Sequence, residues 1–127
     1  MNNIIYTSES IRNEIRRGDM YYLDISWEEN GKIFSKERPV LIISGNINNR
    51  INNNIIYVKL TSNLKKSYMP SNVLISGYGL KKESLAQCDK IGSDEKRNLK
   101  SYVGTVSNEV MKKIEQAFSY IGLKFAA

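Results

Sequence analysis

The 127-residue chain contains no histidine. That excludes Ser–His and Cys–His nucleophile pairs, histidine-ligated metals and the two-histidine mechanism of many ribonucleases. Cys88 is the single cysteine, so no internal disulfide can form and a reducing compartment is expected. It reads as a small, partly buried apolar residue rather than a catalytic thiol. No run approaches the ~18 apolar residues of a membrane span, and the N-terminus lacks the apolar core of a signal peptide. A cytoplasmic protein without membrane contact is expected. There is no Walker loop, dinucleotide fingerprint or Cys/His cluster, and the carboxylates are scattered rather than paired. No cofactor and no metal are expected.

What is present fits one domain spanning residues 1–127. The chain is 41% apolar and 25% charged, proportions of a globular rather than a disordered protein. A chain of this length can bury roughly two-thirds of its extended surface, enough for a core without staples. The net charge is +6, and the excess falls in the second half: residues 65–127 hold 11 basic and 6 acidic side chains, against 8 and 7 before them. Such a balance attracts a polyanion, and RNA or an acidic protein segment would both serve. Plain solubility charge is the simpler alternative.

Residues 7–17 (TSESIRNEIRR) predict a short helix started by Thr7 or Ser8. Residues 20–27 (MYYLDISW) predict a strand. Asn30-Gly31 marks a turn, expected inside a longer, mobile hairpin loop. Residues 39–44 (PVLIIS) predict a buried strand with Pro39 as its first residue. The asparagine-rich residues 45–54 read as an exposed loop. Strands are predicted at 55–60, 72–76, 84–91 and 101–106, a turn at Gly77-Tyr78-Gly79, and one helical turn within 93–99. Residues 108–121 give the best helix: Ser107 caps it, Val110, Ile114, Ala117 and Ile121 form one apolar face, and Gly122 stops it. Five to seven strands with one C-terminal helix fit a mainly β protein built on a small, strongly curved antiparallel sheet.

Two positions stand out for chemistry. Arg38 precedes the buried run at 39–44, and Thr61 follows the run at 55–60. If those strands pair antiparallel, Arg38 and Thr61 become neighbours at one rim. A guanidinium can grip two phosphate oxygens at once. RNA cleaves itself when a 2′-hydroxyl attacks the adjacent phosphorus, and a protein accelerates this by holding the phosphate and stabilising its added charge. Thr61 and Ser62 can donate hydrogen bonds, and Lys65 and Lys66 can hold flanking phosphates. From composition alone plainer readings prevail: a surface salt bridge for Arg38, to Glu37 or another acid, and a β-favouring strand end for Thr61.

The order of segments shifts that balance. Arg17-Gly-Asp-Met-Tyr-Tyr-Leu-Asp24, Arg38-Pro-Val-Leu-Ile-Ile43, Lys59-Leu-Thr-Ser62, Met69-Pro-Ser-Asn-Val-Leu-Ile75 and Gly79-Leu-Lys-Lys-Glu-Ser84 occur in sequence. Together they resemble the MazF/PemK (Kid-like) toxin family over roughly residues 17–123. Each piece is weak alone; five in the right order and spacing are specific. The resemblance implies a curved sheet related to SH3-like barrels with a C-terminal helix, the fold shared by CcdB, PemK and MazF. It also implies a homodimer that is the toxin of a type II toxin–antitoxin system. That toxin would be a metal-independent endoribonuclease cutting single-stranded RNA at short motifs, leaving a 2′,3′-cyclic phosphate or 3′-phosphate and a 5′-hydroxyl. The family's catalytic arginine and threonine map onto Arg38 and Thr61. Ser62 and Asn63 fall where the family's substrate-contacting loop continues, and Ser35, Lys36, Lys65, Lys66 and Lys90 complete the expected substrate-binding set. The family's usual partner is an antitoxin with a flexible acidic tail.

The chain departs from the family pattern in three places. Phe34-Ser-Lys-Glu-Arg-Pro39 stands where many relatives have S-E-Q-x-G-x-R-P, and Ser35 is the counterpart serine. Lys90-Ile-Gly-Ser93 replaces Q-I-R-T, which changes how a base edge would be read. Residues 1–16 have no counterpart. Two rivals remain: a gyrase inhibitor of the CcdB type, which typically ends Trp-Gly-Ile where this chain has Gly122-Leu-Lys-Phe-Ala-Ala127, and a non-catalytic SH3-like RNA- or protein-binding module.

Overall fold

The computed structural model describes residues 14–124. Six strands form one antiparallel sheet: β1 (Asp19–Glu29), β2 (Lys32–Ile42), β3 (Asn54–Thr61), β4 (Asn72–Ile75), β5 (Ser84–Glu95) and β6 (Tyr102–Thr105), in the order β4-β5-β3-β2-β1-β6. Helix α1 (Asn46–Ile51) lies between β2 and β3, and α2 (Asn108–Tyr120) follows β6. The mainly β architecture with a C-terminal helix is as the sequence predicts. Most of the predicted helix at 7–17 lies outside the described residues, and its end, from Glu14, runs as a bend and a turn.

In the central part of the sheet, where β1, β2 and β3 lie side by side, both faces carry buried side chains. Met20, Leu41, Val58, Leu60, Ala86 and Cys88 pack on one face against Met111, Ile114, Ala117 and Phe118 of α2. Tyr21, Leu23, Val40, Ile42, Ile55 and Tyr57 form a second cluster on the other face. Helix α2 ends as its sequence dictates. Ser107 Oγ accepts the Val110 N–H at 3.2 Å, and Gly122, at φ 92°, closes a C-terminal motif with Leu123 N–H to Phe118 C=O at 2.8 Å.

The strands differ from expectation in three informative ways. Asn30 and Gly31 adopt φ 50° and 79° and join β1 to β2 directly, so the expected long hairpin loop is instead a two-residue turn. Consequently β2 begins at Lys32, and Pro39 sits in its interior, opposite Tyr22. The Tyr22 backbone bonds away from β2, to Ser101 C=O and Lys100 N–H, so the Pro39 nitrogen points toward β3. Pairing of β2 with β3 runs only from Ile42↔Tyr57 to Val40↔Lys59. Beyond it, residues 23–38 continue as a two-stranded ribbon.

The asparagine-rich stretch is a helix rather than a loop. Asn49 is buried because its side-chain N–H donates to Ser44 C=O at 2.9 Å, while its own backbone C=O accepts the Lys96 ammonium, also at 2.9 Å. Strand β5 runs past its expected end because residues 91–95 pair with 54–58 after a bulge at Cys88-Asp89-Lys90.

The curl of the sheet brings the turn after β4 against β6. A Cβ on Gly104 would lie 1.8 Å from the Tyr78 carbonyl oxygen, and one on Gly79 would lie 2.1 Å from that of Val103. Both contacts are with backbone, which cannot swing aside. Gly104→Ala is therefore expected to destabilise the fold by roughly 2–4 kcal/mol, at the upper end of overpacking effects, and Gly31→Asn by less, because nothing lies within 4 Å of it and asparagine tolerates its φ of 79° better than other side chains do. Urea unfolding midpoints of the two variants would check the contrast.

Candidate active site

Arg38 and Thr61 are set by register. The β2–β3 pairing ends at Val40↔Lys59; Arg38 lies two residues beyond Val40 and Thr61 two residues beyond Lys59, each on the face that this pair shares. Arg38 shares its face with Val40 and with its β1 partner Leu23, so it projects from the face that carries the second cluster. Both residues are half-buried. Among the described residues Arg38 has no ion-pair or hydrogen-bond partner. The expected rival, a bridge to Glu37, is not formed: Glu37 faces the other way beside Asp24, and the Lys100 ammonium lies 3.5 Å and 3.0 Å from their carboxylates. The Asp24 hydrogen bond and charge, followed by those of Glu37, raise the Lys100 pKa.

Thr61 is ordered by the loop it opens. Its Oγ1 accepts the Asn63 N–H at 3.1 Å, and Asn63 Oδ1 accepts the Lys65 N–H at 3.0 Å. With Oγ1 accepting that bond, the Thr61 hydroxyl still has its own proton to donate. The Asn72 amide holds the Lys66 carbonyl at 3.0 Å, which fixes the far half of the loop while Lys65 and Lys66 remain exposed. Ser62 is exposed beside Thr61.

The other sequence candidates separate. Lys36 lies two residues before Arg38 on the same face, opposite Ile25. Ser35 lies on the reverse face of the ribbon, opposite Ser26. Lys90 is exposed on the β5 bulge, with no register partner on β3. Gly92, where the family pattern carries arginine, has a packing reason: its cross-strand partner Tyr57 lays its ring over it, and a Cβ there would lie 2.5 Å from Tyr57 Cζ. Burial, followed by the nearby Asp94 charge, raises the Tyr57 pKa.

Two residues missed in the sequence join the face. Lys59 and its β5 partner Gln87 form a half-buried polar row next to Thr61. The signal was available: Lys59 interrupts an apolar run at the strand position that alternates with buried Val58 and Leu60. A groove of about 390 Å³ lies between β4 and α2, lined by Pro70, Leu74, Lys113 and Tyr120, and a cleft of about 410 Å³ by Asn53, Glu95, Lys96 and Arg97. Neither of these two includes Arg38 or Thr61. No group of three or more acidic, cysteine or histidine side chains positioned to hold a metal occurs among the described residues. Likewise no helix among them is long and apolar enough to cross a membrane.

A family model described as PemK-like, MazF-like toxin of type II toxin-antitoxin system matches residues 16–121. Endoribonuclease EndoA of Bacillus subtilis (strain 168) is 30% identical over 108 residues, 81% of this chain and 90% of the relative. An endoribonuclease from a Mycobacterial species, solved with its cognate antitoxin, superposes with a TM-score of 0.71 at 26% identity, covering 88% of this chain and 99% of its own. MazF of Deinococcus radiodurans shares the fold at 17% identity, with a TM-score of 0.68 and coverage of 87% and 98%.

The lone thiol stands apart from this face. Cys88 is fully buried in the cluster beneath α2, and burial, with the adjacent Asp89 charge second, pushes its pKa up from 9.0 to about 12. The folded thiol therefore stays protonated where an unfolded one ionises. Stability from this group is complete below pH 9.0 and is lost as pH rises toward about 12. Iodoacetamide at pH 8 is expected to label Cys88 in urea and to leave the native protein unlabelled. Rapid native labelling would show that the thiol is accessible.

Proposed function

The chain belongs to the PemK-like, MazF-like toxin family of type II toxin–antitoxin systems, and we propose that it is a metal-independent endoribonuclease acting on single-stranded RNA in the cytoplasm. The observation that supports the proposal is the β2–β3 register, which ends two residues short of both Arg38 and Thr61 and so carries the two strands toward a common rim, with no ion-pair partner for Arg38 among the described residues. EndoA and the Mycobacterial relative are named as endoribonucleases, which supports the same reading.

In that reaction the 2′-oxygen forms a bond to phosphorus while the bond to the 5′-oxygen breaks. The 2′-hydroxyl loses its proton and the departing 5′-oxygen gains one. The products are a 2′,3′-cyclic phosphate, which water can open to a 3′-phosphate, and a 5′-hydroxyl. Arg38 stabilises the charge that builds on the phosphoryl oxygens, where a fixed, permanently placed donor is worth most. Thr61 donates a hydrogen bond that orients the phosphate or the 2′-oxygen. Lys36, Ser62, Asn63, Lys65 and Lys66 hold the strand on either side. Ser35 faces the reverse side of the ribbon and Lys90 lies on the β5 bulge, so neither neighbours Arg38 in register, and Glu37 is held by Lys100 on the reverse face. The functional unit is a homodimer, and a cognate antitoxin with an acidic segment competes with RNA for the same basic face.

Incubation with mixed-sequence RNA in excess EDTA tests the proposal. The parent protein is expected to cut. Arg38→Ala is expected to cut at least about a hundredfold more slowly, the scale of losing one charge-stabilising donor, and Thr61→Val to lose activity while keeping its fold. Equal cleavage by parent and Arg38→Ala would move the chemistry elsewhere, and loss of all cleavage in EDTA would overturn metal independence.

A further inference from the structure

The ribbon that β1 and β2 form beyond Arg38 has an unusual composition on one face. Cross-strand pairs share a face, and every second pair lies on the same side. From Leu23↔Arg38 the same face continues through Ile25↔Lys36 to Trp27↔Phe34 and Glu29↔Lys32. Trp27 and Phe34 stack on each other, with ring centroids 5.8 Å apart and planes 20° from parallel. Trp27 Nε1 donates to Glu29 Oε1 at 3.1 Å, which fixes the indole's rotation. Yet the rings remain 38% and 40% exposed.

A stacked aromatic pair at the open end of a ribbon does not serve the core, since pairing with β3 has ended at Val40. Its position does relate to Arg38. Four residues of strand separate Phe34 from Arg38, about 13 Å, with the Lys36 ammonium between them on the same face. Aromatic, cation, guanidinium is the sequence of groups that an extended nucleic acid strand meets when a base, a phosphate and the reacting phosphate are held in turn.

We propose that Trp27 and Phe34 form a shelf on which a base of the bound RNA stacks, about two nucleotides from the phosphate held by Arg38, with Lys36 gripping the phosphate between. The inference deepens the nuclease reading by assigning part of its substrate grip to the ribbon. Stacking tolerates any base, so the shelf adds affinity and sets the strand's direction, and sequence selection falls to other contacts.

Trp27 is the only tryptophan, so its fluorescence reports on the shelf without any variant. The probe is a mixed-sequence single-stranded 2′-deoxy oligonucleotide, which can bind but cannot undergo 2′-hydroxyl attack. It is expected to quench Trp27. An abasic oligonucleotide of equal length and charge is expected to bind more weakly and leave the emission unchanged. Phe34→Leu, which keeps an apolar cross-strand pair, is expected to weaken binding of the first probe roughly tenfold, the scale of one lost base–ring stack, and to leave binding of the abasic strand unaltered.

Several outcomes would overturn the shelf: equal emission changes with both probes, no change with either, or quenching by an acidic peptide and not by the oligonucleotide. An emission that shifts with protein concentration alone would do so too, by assigning the rings to a contact between copies. Binding is read here without cleavage. Failure of the nuclease reading appears separately, as intact RNA in the presence of a quenched Trp27.

Discussion

Proline at position 39 governs how this sheet is divided. Its nitrogen carries no hydrogen and points toward β3, so the ladder between β2 and β3 loses a donor just where it would otherwise continue. Toward Ile42, β2 is a buried central strand. Toward Lys32, it belongs to a ribbon held only by β1. Arg38 and Thr61 stand just past that fork, each two residues beyond the last β2–β3 pair. The same split leaves one face of the ribbon open on both sides of the arginine.

The opening of β1 anchors the opposite end of the arrangement. Asp19 is fully buried and accepts hydrogen bonds from Arg16 N–H at 2.8 Å and from the Thr105 hydroxyl at 2.7 Å. Arg17 reaches the Ile43 carbonyl at 2.8 Å and Glu115 of α2 at 3.2 Å. The Arg-Gly-Asp segment thus ties β1, β2, β6 and α2 together through polar groups that find their partners, which makes burial of a carboxylate tolerable. These residues are structural, and their place in the family's pattern reflects the frame rather than the chemistry.

Much of this was legible in the sequence because the local signals agree with the fold. The Ser107 cap, the Gly122 stop and the apolar spacing between them specify α2 without reference to anything else. The apolar runs at 39–44 and 55–60 carry enough information to pair β2 with β3 antiparallel, which carries Arg38 and Thr61 to the same end of the pair. What escaped was decided by tertiary context. Residues 32–38 (KIFSKER) have no buried face, so hydrophobic alternation could not mark them as a strand; only a tight turn at Asn30-Gly31 does. The helix at 46–51 depends on a buried asparagine bonded to Ser44, which no periodicity reveals. Lys59 was read as part of an apolar strand, although alternation had already turned it to the face of Thr61.

A two-stranded ribbon that projects past its sheet obeys a parity rule. An extra residue in one strand would turn that strand's side chains beyond it to the opposite side, parting Trp27 from Phe34. Adding a facing pair to each strand would keep every side chain where it belongs and merely lengthen the arm by about 7 Å, leaving the core beneath α2 untouched. The length of the hairpin can therefore change in paired steps without renegotiating the fold that carries Arg38 and Thr61.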